Sequence, residues 1–284
     1  MRRLLAAILA TCVAACVPVD DEVASIDGAG VTTTRHHLTV DGRRVLVQLH
    51  RPPGAAADVP TVIFLPGYLA SADQYDSYAR ALAESGVAVA VRGRYGPFLE
   101  ERELAGDAGA IADWLVSQGI ADASRLGVAG HSTGGKTAIW AAALDSRFRA
   151  VVALDPDDQG KTSVIHGPLG DVEAPLLLVG AEVGWKGADI CAPLDFNYQR
   201  FFDASPEGTV MVTLHDADHV QLMDDPDAFG MGLCRVGGAD SAEVLGVANT
   251  ATAAFFREHL LGEAEAAPAD YGEVASVAVR EPRA

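Results

Sequence analysis

Ser132 sits in Gly130-His131-Ser132-Thr133-Gly134-Gly135, directly after the apolar run Leu126-Gly127-Val128-Ala129 and directly before an apolar stretch at 137–144. Strand, sharp turn and helix in that order describe a nucleophile elbow. The residue at the tip of such a turn is forced into a strained backbone conformation, and side chains two positions either way would collide there; Gly130 and Gly134 remove them. The serine hydroxyl then projects from the carboxyl edge of a sheet, and the Thr133 amide points at the same spot from the first helical turn. Nucleophile and one oxyanion donor come from a single motif, an arrangement suited to acyl transfer. A chain with 29 glycines can produce Gly-x-Ser-x-Gly by chance, but the strand before and the helix after argue against it.

A serine hydroxyl needs a base to take its proton, and the base needs a carboxylate to hold its tautomer; behind an elbow of this kind the chain order is serine, acid, histidine. Of eight histidines only His166, His215, His219 and His259 follow the elbow. His259 lies in the pattern of the last helix and His166 in a long loop. His215 and His219 both follow the strand ending at Leu214. His219, in Asp216-Ala217-Asp218-His219-Val220, has the loop needed to reach back to Ser132 and is the expected base, with His215 the structural alternative. For the acid, Asp155 ends a strand and is followed by Pro156, which stops the ladder. Glu182, at the end of the next strand, and Asp189, further along that loop, are the alternative acids. Asp157 and Asp158 read as a solvated loop. A second oxyanion donor is expected in the Tyr68 amide, where the strand 61–65 runs into Pro66-Gly67-Tyr68-Leu69. No metal and no organic cofactor is expected, because His215, Asp216, Asp218 and His219 have ligand types but not a zinc spacing. Trp185 and residues 162–169 are expected to border an apolar acyl or alcohol site.

The elements that must carry these groups follow from the hydrophobic pattern. Residues 32–40 and 44–50 alternate and are separated by Asp41-Gly42, a hairpin signal. Strands at 60–65, 87–91 and 125–129 then alternate with helices at 72–85 and 103–118, which implies a mostly parallel sheet covered on both faces. After the elbow come strands at 150–154, 175–181 and 209–214 and a closing helix at 247–261. This is the strand order of an α/β-hydrolase fold in a single domain, 31–262. Residues 155–174 leave room for a loop lid but not for a large cap domain.

At 284 residues with 49% hydrophobic content, the chain is long enough for one domain with its own core. Its net charge of −18 argues against nucleic acid as a partner. Met1-Arg2-Arg3 followed by an apolar run to Val13 is a signal segment too short to span a membrane. Val13-Ala14-Ala15-Cys16 resembles a bacterial lipobox. The expectation is a signal peptide at 1–15, a lipid on Cys16 anchoring the protein to a membrane, a tether at 16–30 and a flexible tail at 263–284. Without the lipid the protein would be secreted; in both cases it is exported. Of four cysteines only Cys191 and Cys234 lie in the folded part, and export makes them an expected disulfide, with two separately buried thiols the alternative.

Gly130-His131-Ser132-Thr133-Gly134-Gly135-Lys136-Thr137 resembles the elbow of the chlorophyllase family of α/β-hydrolases, with Thr133 where that family carries arginine. Leu154-Asp155-Pro156 is similar to the family's segment bearing the acid, and Cys191-Ala192-Pro193 with His219-Val220-Gln221-Leu222-Met223-Asp224-Asp225 extends the likeness across most of 60–261. The resemblance implies Asp155 and His219 as partners of Ser132 and a carboxylic ester as substrate. Pro66-Gly67-Tyr68 also resembles the oxyanion segment of bacterial cutinases and polyester hydrolases, a partial likeness that implies extended or insoluble esters. The expected function is an exported serine esterase working through an acyl-enzyme. The alternatives are a polyester hydrolase, a transferase to a nonaqueous acceptor, and a noncatalytic lipoprotein on the same scaffold.

Overall fold

Among the segments that become strands, period-two alternation marks an outer one such as 32–40, while 59–65, 88–92 and 176–181 are near-continuous apolar runs buried on both faces, and each segment sends successive side chains to opposite faces of one sheet. In a computed structural model, which describes residues 22–55, 57–96, 99–228, 231–264 and 270–282, these strands are β1 (Glu22–Ile26), β2 (Thr32–Val40), β3 (Arg43–Arg51), β4 (Val59–Leu65), β5 (Ala88–Arg92), β6 (Ala121–His131), β7 (Phe148–Leu154), β8 (Leu176–Ala181), β9 (Val210–Leu214) and β10 (Ala275–Val279). Their order in the sheet is β1-β2-β3-β5-β4-β6-β7-β8-β9-β10. The run from β5 to β9 is parallel, and the strands outside it pair antiparallel. The β2–β3 hairpin turns through Asp41 and Gly42, both with positive φ, as the expected Asp-Gly turn requires.

The helices are α1 (Asp76–Glu84), α2 (Glu101–Ser117), α3 (Thr133–Leu144), α4 (Tyr198–Ala204) and α5 (Ser241–Phe256). Burial divides by strand face. Val62 and Phe64 of β4 pack with Tyr78 and Leu82 of α1 and with Val244 and Phe255 of α5. Ile63 and Leu65 face Leu104 and Ile111 of α2 and Ile139 of α3. This is the α/β-hydrolase fold, with its core in two layers on either side of a central sheet. The parallel strands all end on one edge, where the loops after β4, β6, β7 and β9 converge.

Three expectations change. Segments read as tether and loose tail supply the outermost strands: β1 pairs with β2, and β10 pairs with β9 from Ala275 opposite Leu214 to Val279 opposite Val210. The Ala, Glu and Pro content before residue 270 masked the β-branched alternation of Val277 and Val279, and pairing with β9 satisfies backbone groups it would otherwise present at an edge. The closing helix starts earlier than 247, because Asp240 caps it by accepting from the amides of Ala242 and Glu243. The loop at 155–174 carries only the short 3-10 turn Pro168–Asp171, and it is pinned, as described below. The expected signal segment 1–15 and Cys16 lie outside the described residues. No helix among the described residues is long and apolar enough to cross a membrane.

Candidate active site

Ser132 stands between the end of β6 and the start of α3 with φ 57° and ψ −126°, a conformation L-residues rarely adopt. The elbow closes so tightly that a Cβ on Gly130 would stand 2.2 Å from the Gly134 carbonyl oxygen, and one on Gly134 would stand 2.2 Å from that of Leu65. No side chain fits at either position, which is the physical content of the motif. The Ser132 amide donates to the Leu154 carbonyl at 2.9 Å, so the end of β7 fixes the tip.

Around this tip the fold assembles a hydrogen-bonded chain. The Ser132 hydroxyl lies 2.9 Å from His219 Nε2, and His219 Nδ1 lies 2.6 Å from Asp155 Oδ2. The other Asp155 oxygen accepts from the Ala181 amide at 3.1 Å, so the end of β8 orients a carboxylate supplied by β7. All three side chains are buried. Burial alone would lower the His219 pKa, but the hydrogen bond that Nδ1–H donates to Asp155 and the charges of Asp155, Asp157 and Asp218 outweigh it and hold it above the ordinary histidine value.

The loop carrying His219 is built on Asp218, which is fully buried. Its Oδ1 caps the following 3-10 turn by accepting from the amides of Val220 and Gln221, and its Oδ2 accepts from those of Val236 and Gly237 and pairs with Arg235 at 3.2 Å. Its role was missed, although Asp218 followed three residues later by Gln221 is a capping-box signature in the sequence. His131 was missed as well. Its Nδ1 accepts from the Tyr75 hydroxyl at 3.0 Å, its Nε2–H donates to the His219 carbonyl at 3.0 Å, and the same Tyr75 oxygen accepts from the Gly67 amide at 2.9 Å. Burial, with the neighbouring His219, pushes the His131 pKa well down, so the ring is neutral and this tautomer is the one the three bonds need.

The other named residues lie apart from this chain. Glu182 is exposed, accepts from the Asp216 amide at 2.9 Å and faces His215 Nδ1 at 3.5 Å. Asp189 is exposed, and its backbone carbonyl accepts from the Gln159 side chain. His215 faces Glu182 and the Asp218 carboxylate takes the amides of Val236 and Gly237, and no cluster of three or more His, Cys, Asp or Glu side chains placed to hold a metal occurs among the described residues. Asp157 and Asp158, expected in solvent, are each 5% exposed. Burial pushes the Asp157 carboxyl up to about 6, against the Gln159 amide and the His219 charge, which lower it. Asp158 accepts from the Val164 amide at 2.8 Å and lies 3.7 Å from the buried Lys136 ammonium, which also donates to the Gln159 carbonyl at 2.8 Å and faces Glu101 at 3.6 Å. Residues 162–169 therefore do not border the site: Val164 and Leu169 sit in the core against α2 and α3. Trp185 is exposed and is not part of the cavity wall.

Ser132, His131 and His219 form the floor of a cavity of about 440 Å³ with apolar walls that include Leu69, Ile190, Val220, Met223 and Met231. Tyr68 and Gly67 form its rim on the β4 side. The backbone of Gly67 runs so close to Ser132 that a Cβ there would touch that of Ser132 at 3.4 Å. Thr133, as the first residue of α3, has an amide without an intrahelical acceptor. On the opposite wall a Cys191–Cys234 disulfide, Cα to Cα 5.6 Å, ties the loop after β8 to the short turn Gly232–Cys234. A second cavity of about 410 Å³, lined by Phe255 and His259 at the other end of β8 and β9, holds no serine or cysteine.

Sheet order, elbow and site define a carboxylic ester hydrolase on the α/β-hydrolase fold. The chain belongs to the Chlorophyllase family, whose profile matches residues 31–276. It is 26% identical over 240 residues to chlorophyllase-1 (chloroplastic) of Citrus sinensis, covering 75% of this chain and 72% of that one. It is 27% identical over 158 residues to a platelet-activating factor acetylhydrolase of Gallus gallus, covering 52% of this chain and 34% of that one. A ferulic acid esterase structure from Streptomyces cinnamoneus shares the fold with a TM-score of 0.61 and 22% identity, over 78% of this chain and 84% of that one.

Proposed function

We propose that this protein hydrolyses carboxylic esters through an acyl-enzyme on Ser132, with His219 as general base and then acid, and Asp155 orienting and charging against His219. His219 Nε2 takes the Ser132 proton as Oγ bonds to the ester carbonyl carbon. The oxyanion so formed is received by the amides of Tyr68 and Thr133, at the rim and at the first turn of α3. Collapse breaks the bond to the alcohol oxygen, which leaves with the proton held by His219. Water enters by the same route, its proton going to His219 and its oxygen to the acyl carbon, and the acid departs as Ser132 recovers its proton. The observation that carries this reading is the continuous Ser132–His219–Asp155 chain, at 2.9 and 2.6 Å, on the floor of an apolar cavity.

The test is hydrolysis of p-nitrophenyl esters from acetate to palmitate, with Ser132→Ala and Asp155→Asn alongside. Loss of turnover in both variants is expected, and the chain length of the best substrate measures the cavity. Absence of turnover at every length, together with no labelling of Ser132 by a fluorophosphonate, would leave the noncatalytic scaffold.

The reading includes export. A buried disulfide suits an oxidising compartment, and Arg2-Arg3, the apolar run behind them and the small residues before Cys16 suit a lipoprotein signal. Intact mass of the membrane-extracted protein should show cleavage before Cys16 and an added diacylglycerol, and Cys16→Ser should release the protein from the membrane fraction.

A further inference from the structure

The cavity above Ser132 is unusual for this chain in its charges. The protein has 39 acidic residues, yet among the described residues none of them lines the cavity, and the wall they form carries one permanently charged side chain, Arg94. The segment bearing it is held on both sides. Arg92 is buried and donates from Nε and Nη2 to Asp107 at 3.1 and 2.7 Å and from Nη1 to the Gly93 carbonyl at 2.8 Å. The Gly93 amide donates to the Leu46 carbonyl at 2.7 Å. Tyr95 is buried, with its ring 5.4 Å from the Arg92 guanidinium and edge-on to Tyr68. The backbone at Arg94 is thereby fixed between two anchors, while its own side chain is exposed.

The two arginines of this segment are used differently. The buried Asp107 takes the buried Arg92 and the half-buried Arg43 together, closing a three-residue network. The Arg94 guanidinium has no carboxylate within ion-pairing distance and no hydrogen bond among the described residues. A planar five-donor group left free at the wall of an apolar, carboxylate-free cavity is suited to bidentate recognition of a carboxylate or a phosphate. The field of a chain with net charge −18 repels anions in general, so a local guanidinium is needed to admit one at this place.

We propose that Arg94 is a specificity-determining residue that selects esters carrying an anionic group, a carboxylate or a phosphate, beside an apolar body. This rests on the hydrolase reading, with Ser132 supplying the chemistry. The arginine acts on binding: the anion docks at the wall and the ester carbonyl is left over Ser132, so its effect falls mainly on KM. Exposure of the side chain to solvent makes the effect moderate and sensitive to salt.

The experiment compares esters of one length whose far terminus is methyl, carboxylate, phosphate or trimethylammonium, in one series with the terminus on the acyl side and in another with it on the alcohol. The wild-type protein is measured beside Arg94→Gln and Arg94→Glu, with circular dichroism and melting temperature confirming the fold of each. In at least one series, kcat/KM for an anionic ester relative to the methyl ester should fall about tenfold in Arg94→Gln and further in Arg94→Glu, through KM. The wild-type preference should shrink as salt is raised. Comparison of the carboxylate and phosphate arms identifies which anion is preferred. An anionic-to-methyl ratio unchanged by both substitutions in both series overturns the proposal, as does equal acceptance of the trimethylammonium ester by the wild type. Ser132-dependent turnover of the methyl ester in that same experiment would leave the hydrolase reading standing; its absence on every ester would instead remove that reading, and this proposal with it.

Discussion

The imidazole of His131 joins the elbow at Ser132 to the loop that carries His219, donating from Nε2 to the His219 backbone carbonyl at 3.0 Å. Through Tyr75 the same ring is tied to the Gly67 amide, one residue before the proposed oxyanion donor. One buried hydrogen-bonded line therefore sets the relative positions of three segments that are distant in sequence. In Tyr75→Phe the Gly67 amide and His131 Nδ1 both lose their partner without access to water, a cost of about 1 to 3 kcal/mol. We expect a lower melting temperature and a kcat reduced on the order of tenfold, because the oxyanion rim and the base shift against each other. Steady-state kinetics with a short ester and a thermal melt check this; an unchanged kcat would reduce Tyr75 to a packing role.

Asp155→Asn preserves shape but reverses what the side chain offers to His219 Nδ1, favouring the wrong tautomer. We expect kcat to fall by roughly 10³ to 10⁴. Glu182→Gln removes an exposed carboxylate whose partners are His215 and the Asp216 amide, and should change kcat less than twofold. The reverse ranking would assign the acid to the loop after β8.

The activity profile should depend on pH with a sign fixed by His219. A general base works unprotonated, and the neighbouring carboxylates raise its pKa above the ordinary 6.5, so the acid limb of kcat/KM should fall above that value. Asp157→Asn removes one of those charges and should move the limb to lower pH. It should also stabilise the protein near neutrality. The folded-state pKa of Asp157 is raised to about 6 by burial, so between the ordinary aspartate value of 3.8 and about 6 the folded state binds this proton more tightly than the unfolded chain, and stability falls as pH rises through that window. The gain from Asn near neutrality is on the order of 1 to 3 kcal/mol. Urea melts on either side of the window test it: a gain at neutral pH that vanishes in acid is expected, and an equal effect at both would point to packing instead of charge.

Legibility in the sequence tracked how local each cause was. The elbow could be read because glycine spacing, strand and helix occupy adjacent residues. Asp155 and His219 could be named because each ends or follows a strand, although their meeting depends on β7, β8 and β9 lying side by side. The burial of Asp157 and Asp158 could not be read, since Asp158 meets Lys136 on α3, which also faces Glu101 on α2, and the Asp157 amide is drawn back to the Ser132 carbonyl, all contacts distant in sequence. Tyr75 carries no signal of its tie to His131: that partner lies 56 residues away and only the packing of α1's entry turn against the end of β6 brings the two together. Strand β10 was hidden for a different reason, since an edge strand of mixed small residues depends on β9 for its pairing and has little pattern of its own.

Removing the disulfide with Cys191→Ser and Cys234→Ser together should reveal two separable effects. The bond closes a loop with a sequence separation of 43, for which chain entropy gives about 4 kcal/mol, so a large fall in melting temperature is expected. The bond also braces one cavity wall: Ile190 precedes one cysteine, and Cys234 and Met231 themselves line the cavity. The Ser132–His219–Asp155 chain is held by other means, through Asp218, Ala181 and His131. A wall that loosens while the reacting groups stay in place weakens substrate binding before it slows chemistry, so KM for a long ester should rise several-fold with kcat for a short ester less affected. If kcat for short and long esters falls equally in the double variant at a temperature well below its melt, the brace acts on the base loop, which is fastened to the turn Gly232–Cys234 through Val236, Gly237 and Asp218.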